Sequence, residues 1–403
     1  MIIAINGDNM NRPAIPLLIF LAAAVSVHGQ QPAPGAAAPV PLFSAEVIRS
    51  FTPADNSITD AKAKLGDMIF DERRISADNS LACNTCNSPR NGFTTHTETS
   101  RGVGDQLGKR NAPSILNAMF YKSMFWDGRA ATLEEQAMMP ILNPVEMGQK
   151  DMKDVVAKLA AIPEFVTAFQ QVFGRTPNAG DMGKALAAFE RTRLSTEAPF
   201  DRFLRGDEKA FNASQRRGWA LFTGKARCAG CHTYDPALPL FGDNRFHNTG
   251  VAARKQDFNQ LATRAAVSAA AGNQAEIDKL ALETDNSDLG RFLVTQKRED
   301  IGAFKTPFLR DVLLTGPYMH DGSLETLWDV VEFFNKGGER NPFLDPEMKP
   351  LGLTASEVED LVNFLTALTS DRFAELRVSE LDRQHTTYQY RLAVQRQERQ
   401  GSR

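Results

Sequence analysis

The chain has 403 residues, 42% hydrophobic and 24% charged, an ordinary globular mixture with enough apolar matter for two or three packed domains. Forty-six Lys and Arg against 49 Asp and Glu leave a formal net charge of −3 at pH 7, which excludes a nucleic-acid or membrane-surface role driven by bulk charge. Four cysteines are too few for a disulfide scaffold of this length, and they fall in two CxxC pairs.

Met10-Asn11-Arg12 leads into the apolar run PLLIFLAAAV at residues 16–25, followed by small residues and Gly29-Gln30-Gln31. The run is shorter than the ~20 apolar residues a membrane span requires. Residues 1–30 are therefore expected to be a secretory signal peptide cleaved near residues 29–30, leaving a periplasmic chain with no membrane span. The Pro/Ala-rich stretch 31–42 reads as a flexible linker.

Helical signals dominate the rest. Residues 60–72 carry Leu65, Met68 and Ile69 at helical spacing, and 150–173 and 181–195 are amphipathic. Ser214 to Phe222 leads into the second CxxC, and Leu324 to Asn335 reads as another helix. Thr354-Ala355-Ser356-Glu357 is a capping box, opening a helix with Val358, Leu361, Val362, Leu365 and Leu368 on one face. Long alternating strand patterns are absent. The expected fold is mostly α, in two modules of one plan, 43–205 and 206–370, with long loops at 88–115 and 295–322. The Ala/Gln/Asp-rich stretch 254–290 reads as a surface helical excursion, and 371–403 as a polar tail.

Cys228-Ala229-Gly230-Cys231-His232 is CxxCH, the c-type haem attachment motif. Two thiols three positions apart reach the two vinyl groups of one porphyrin, and the adjacent imidazole lies under the iron as proximal ligand. A redox dithiol would sit in a βαβ context, which is missing, and a zinc ribbon would not need the His at that place. Cys83-Asn84-Thr85-Cys86-Asn87 has the same spacing with Asn where the His belongs, and its setting repeats the second site: a helix, the pair, a long loop, then helices. It reads as a second haem site with an altered proximal position, because an amide is a poor iron ligand beside imidazole. His96 is the histidine of the following loop, and the mature chain otherwise offers His232, His247, His320 and His385.

Phe125-Trp126-Asp127-Gly128-Arg129, Asn143-Pro144-Val145-Glu146-Met147-Gly148, Ala187-Ala188-Phe189-Glu190-Arg191-Thr192 and Thr315-Gly316-Pro317-Tyr318-Met319-His320-Asp321-Gly322 together resemble the bacterial di-haem cytochrome c peroxidases, including the MauG-type enzymes that oxidise a protein substrate. The resemblance spans about residues 45–370. It implies an N-terminal peroxidatic haem, a C-terminal electron-transfer haem, and a Ca²⁺ ion between them. Glu146 matches the distal acid–base carboxylate, Trp126 the aromatic between the haems, and Asn111, Thr315 and Pro317 the Ca²⁺ ligands. Pro140 fits the distal pocket of the MauG-like branch, while Met138, Met139 and Met147 read as packing. The family is often dimeric.

The chain departs from that pattern beyond Asn87. Phe334 stands where the second haem's sixth ligand is typically Met or Tyr, leaving Met319 and Met348 as substitutes. Val103 lies near the register of a distal His in typical members, and Ala226-Arg227 precede Cys228 where a protein-oxidising enzyme would place a Trp or Tyr. Three readings stay open: a di-haem peroxidase reducing hydrogen peroxide with electrons from a small cytochrome c or cupredoxin; a MauG-like enzyme oxidising aromatic side chains of a partner protein; and a mono-haem electron carrier whose first site Asn87 has disabled.

Overall fold

The computed structural model describes residues 43–255, 257–282 and 288–401; the expected signal peptide and linker lie outside them. The described chain is mostly α, as its periodicity predicts, and its named strands are one two-residue ribbon, Phe246–His247 against Phe304–Lys305.

Two helix crossings organise the molecule. In the first half, Asp60–Phe70 crosses Ala179–Arg191; in the second, Ala213–Thr223 crosses Ala355–Thr366. Each helix starts on a side-chain cap: Thr59 accepts from Lys62 N and Asn178 from Asp181 N, while Asn212 with Gln215 and Thr354 with Glu357 form reciprocal boxes. Both crossings turn on a glycine. A Cβ on Gly66 would lie 2.0 Å from the Ala185 carbonyl oxygen, and one on Gly218 would lie 2.0 Å from that of Asp360. In each pair the same imagined atom would meet a phenylalanine Cβ, of Phe189 or Phe364, at 2.7 Å. Glycine is required here by close approach of two backbones.

Around the crossings lie separate apolar clusters. Leu65, Ile69, Phe70, Leu186 and Phe189 belong to the first, and Phe222, Trp328, Leu361, Phe364 and Leu365 to the second. The halves share a second plan at one constant spacing along the chain. Left-handed Asn117 and Asp311 open short 3₁₀ turns, with φ of 58° and 57°. Bridges Met124–Ala130 and Tyr318–Leu324 each close a loop, and Thr132 and Thr326 then cap the helices Leu133–Leu142 and Leu327–Asn335. Matching loop residues are tied to the other half: Asn111 N donates to His320 O and Lys305 N to Trp126 O, both at 2.8 Å. A further tie is the fully buried Arg310–Asp201 pair, whose guanidinium also donates to Ser195 O.

The excursion expected around 254–290 is helical, with Phe258–Ala270 and Gln274–Leu282, and it has a core of its own in which Phe258, Ala262 and Ala265 pack with Leu289, Phe292 and Ile301. The polar tail forms one helix, Ala374–Gly401. Its first half docks: buried Gln384 accepts from Leu327 N and donates to Leu313 O and Tyr318 Oη, and Tyr388 stacks on Trp328. No described helix is long and apolar enough to cross a membrane.

Candidate functional site

In the second half, a 3₁₀ turn at Cys228–Gly230 presents two free, half-buried thiols, Cys228 and Cys231. The turn closes by His232 N donating to Cys228 O at 2.9 Å. Nδ1 of His232 sits 2.9 Å from the Phe241 carbonyl, so Nδ1 carries the proton and Nε2 is left as a free lone pair. Burial holds the imidazole pKa below its ordinary value, keeping it neutral as a ligand must be. These groups open on a cavity of about 750 Å³, walled by apolar side chains including Leu327, Val331, Leu361 and Leu365. Paired free thiols, a neutral imidazole and an apolar chamber fit a covalently held haem. Phe334, Met319 and Met348 all line the same chamber.

The chamber's rim carries a cluster that sequence reasoning missed. His247 lies between Asp243 at 2.9 Å and Asp345 at 2.7 Å, and its ligating nitrogen, Asp243 and Cys231 come within 4.8 Å of one another. The Asp243 hydrogen bond, then Cys231 and Asp345, push the imidazole up to about 11, so His247 is a fixed cation at neutral pH. It ties the short ribbon to the loop that carries Met348.

In the first half, Cys83–Cys86 forms one helical turn and burial pushes the Cys83 thiol up to about 12. Asn87 N donates to Cys83 O at 3.0 Å, as His232 does to Cys228. The Asn87 amide nitrogen donates to Phe93 O at 3.1 Å and to Pro113 O at 3.0 Å. His96 is held elsewhere by one contact, its Nε2 3.3 Å from Leu314 O.

Glu146 is held in a turn after the Leu133–Leu142 helix, which carries Pro140. Asn143 Nδ2 donates to Glu146 Oε1 at 2.7 Å, and Val103 N donates to its carbonyl at 2.8 Å. A Cβ on Gly102 would sit 1.7 Å from Val145 O, so the loop after the first CxxC lies directly against this turn. Burial raises the Glu146 pKa above the usual carboxylate value, opposed by Arg129 and the Asn143 amide. Arg129 itself stacks on Phe125 at 3.6 Å and pairs with Asp127 at 3.1 Å. A carboxyl whose pKa is raised by burial, oriented by one amide and close to one guanidinium, can accept and return a proton above the usual carboxylate range. Met147 is core, and Met138 and Met139 pack against core clusters.

Glu190 went unnoticed in the sequence except as part of a motif. It is 4% exposed, its Oε2 has no hydrogen-bond partner, and desolvation pushes it up to about 8. Its carboxyl also raises the Cys83 thiol pKa, which places it beside the first CxxC. The matching helix position in the second half, one residue after Phe364, is Leu365 in the chamber wall.

Between the halves, Trp126 lines the second chamber and donates Nε1–H to Asn111 O at 2.9 Å. Asn111, Thr315 and Pro317 line the chamber too. Asn111 is buried and spends Nδ2 on Thr97 O and Glu98 O, which turns Oδ1 the other way. Asn111 Oδ1 and the carbonyls of Thr315 and Pro317 accept no hydrogen bond from the described residues, a free-oxygen set suited to a hard cation. Lys305 was also missed: it is buried, desolvation lowers it to about 7, and Nζ lies 3.7 Å over the Tyr121 ring while donating to Ser123 O. Its signal in the sequence, a Lys two places before a Pro, is too weak to find alone.

Comparison with known proteins places this geometry. The family model described as di-haem cytochrome c peroxidase matches residues 60–209. The chain is 36% identical to the "Cytochrome-c peroxidase IdrP1" of Denitromonas iodatirespirans over 88% of its own length and 91% of that protein's. It is 39% identical to the "Methylamine utilization protein MauG" of Methylorubrum extorquens, over 79% of the chain and 81% of the relative. Among solved structures, a MauG-like protein associated with microbial copper homeostasis matches with a TM-score of 0.67 at 27% identity, covering 79% of this chain and 92% of the other. With two CxxC turns on matching helix crossings and relatives of this extent, the chain belongs to the di-haem cytochrome c peroxidase and MauG family, whose members imply two haem c groups and a peroxidase-like haem oxidoreductase activity.

Proposed function

We propose that the protein is a periplasmic di-haem peroxidase that reduces hydrogen peroxide to water with electrons from a small redox protein. The observation that carries this reading is the second chamber's reach: one continuous cavity runs from Cys228, Cys231 and His232 to Trp126 and to Asn111, Ala112, Pro113 and Ser114. Pro113 O is the acceptor of the Asn87 amide, so the chamber ends on the backbone that braces the first site.

In this reading, the module 206–370 takes electrons from the donor and the module 43–205 receives peroxide. Haem bound at the two CxxC turns supplies electron storage and an iron for the peroxide. Cys83 and Cys86 would anchor the first group, Cys228 and Cys231 the second, and His232 Nε2 would ligate the second iron. The Trp126 indole, fixed by its Asn111 bond, is the aromatic path between the two centres. Glu146 takes a proton from the near oxygen of H₂O₂ and returns it to the departing oxygen; two electrons and two protons in all convert the peroxide to two waters. Asn111 Oδ1 with the Thr315 and Pro317 carbonyls holds Ca²⁺, which stiffens the junction where Trp126 is fixed.

A small-protein donor is favoured over oxidation of a partner's aromatic side chains. Ala226 is buried and Arg227 donates to Lys349 O, so neither of the two positions before Cys228 offers a surface aromatic. The test is peroxide-dependent oxidation of reduced cytochrome c by protein shown to carry two haems per chain by pyridine haemochrome. Turnover is expected. Two haems without turnover overturns the reading, and one haem per chain replaces it with a mono-haem carrier.

A further inference from the structure

We propose that Asn87 is the proximal ligand of the first haem, through its side-chain carbonyl oxygen Oδ1. The inference rests on the di-haem reading above and adds to it the identity of the ligating atom. Its basis is that the two CxxC sites share one bracing scheme with different ligands at its end. In the second site, His232 uses Nδ1–H on Phe241 O and thereby directs Nε2 to the other side. Phe241 has a φ of 62°, and its counterpart Phe93 has a φ of 59°. In the first site, the same brace is made by Asn87 Nδ2, which donates to Phe93 O at 3.1 Å and to Pro113 O at 3.0 Å.

Both partners of the amide are carbonyls, which accept only. The NH₂ end must therefore face them, and the orientation of the amide follows from hydrogen-bond chemistry. Oδ1 is the opposite branch of the amide and corresponds to the imidazole atom that serves as ligand in the second site. Both amide protons are used, so a rotation that pointed Nδ2 toward the cofactor would lose two hydrogen bonds and set two carbonyl oxygens against Oδ1.

The described histidines offer no replacement. His96 is directed at Leu314 O. His320 stacks on Phe304 at 3.6 Å and bonds to Asp288 at 3.2 Å. His247 is held between two aspartates, and His385 lies against Trp328 on the C-terminal helix. A neutral amide oxygen is a hard, weak donor, so it leaves the first iron high-spin and distinct from one held by imidazole.

The experiment uses haem-loaded full chain, with haem counted per chain first. Resonance Raman of the ferrous protein is expected to show no iron–imidazole stretch from the first haem. Asn87→His, which keeps the brace because Nδ1–H can donate to Phe93 O as His232 does to Phe241, is expected to gain that stretch. Asn87→Asp is expected to lower the first haem's midpoint potential below that of the unaltered chain, and Asn87→Ala to change its ferric high-spin spectrum. An iron–imidazole stretch from the first haem of the unaltered chain overturns the proposal. So does a first-haem spectrum and potential unchanged by Asp and by Ala. Either result leaves the di-haem reading standing, whereas one haem per chain removes both.

Discussion

The two halves are built on one plan and diverge where a cofactor would touch them. Both cross two helices at a glycine, both present a CxxC turn, and both return through a loop tied to the other half. The second chamber is walled by Leu361 and Leu365 and ends in a neutral imidazole. Around the first CxxC turn stand polar groups instead: Asn87 in the His position, Glu190 at the Leu365 position, and Glu146 with Arg129 nearby. An apolar pocket with a strong nitrogen ligand suits electron storage. Proton-carrying side chains beside the thiols suit a reaction at the iron. The scaffold is shared because at each crossing two backbones approach too closely for a side chain to fit without strain; the surroundings of the thiols differ because they face the cofactor and not each other.

Five substitutions would break or sharpen this contrast. The largest effect is expected from Glu146→Gln, which removes the proposed acid–base carboxyl from the first site. Peroxidase turnover should fall by about 10²–10⁴-fold with haem content and donor binding unchanged, measured by steady-state oxidation of reduced cytochrome c. In the unaltered protein the acid limb of the pH–rate profile should lie above the usual carboxylate range, since burial raises the Glu146 pKa and the base form is the active one. Next, Asp201→Ala strands Arg310 in a fully buried position. A loss of about 3–5 kcal/mol in urea unfolding is expected, and a loss under 1 kcal/mol would show that this tie contributes little.

Gly66→Ala and Gly218→Ala test what the halves share. Each Cβ would meet a backbone oxygen at 2.0 Å, so each should cost about 1–3 kcal/mol, and by similar amounts. A large cost at one and none at the other would end the claim of equivalent crossings. The smallest effect is expected from Glu190→Leu, which gives the first half the residue found at the matching helix position of the second. The folded-state pKa of Glu190 is pushed up to about 8 from an ordinary 4.5, so the folded chain holds a proton that the unfolded chain releases. Its contribution to stability therefore falls as pH rises from about 4.5 to about 8, and in Glu190→Leu that part of the fall should vanish in thermal unfolding across this range. An identical pH dependence in both proteins would show that Glu190 is ionised or solvated in the folded state.

Much of this was legible in the chain itself. The CxxC pairs, the four capped helices and their apolar faces follow from local rules, because a cap, a heptad-like stripe or a three-residue thiol spacing involves near neighbours only. The strings around Trp126, Glu146 and Pro317 pointed to the family, which relatives of 36% and 39% identity bear out. What only the tertiary structure decided involves partners distant in sequence. That the tail helix would bury Gln384 against Leu327 and Tyr318, that His247 would be clamped by Asp345, and that Glu190 would lose all partners for one oxygen depend on which surfaces meet. Asn87 shows the division most clearly: the sequence reveals that an imidazole is missing, but only the carbonyls of Phe93 and Pro113, brought together by folding, determine which end of the amide is free.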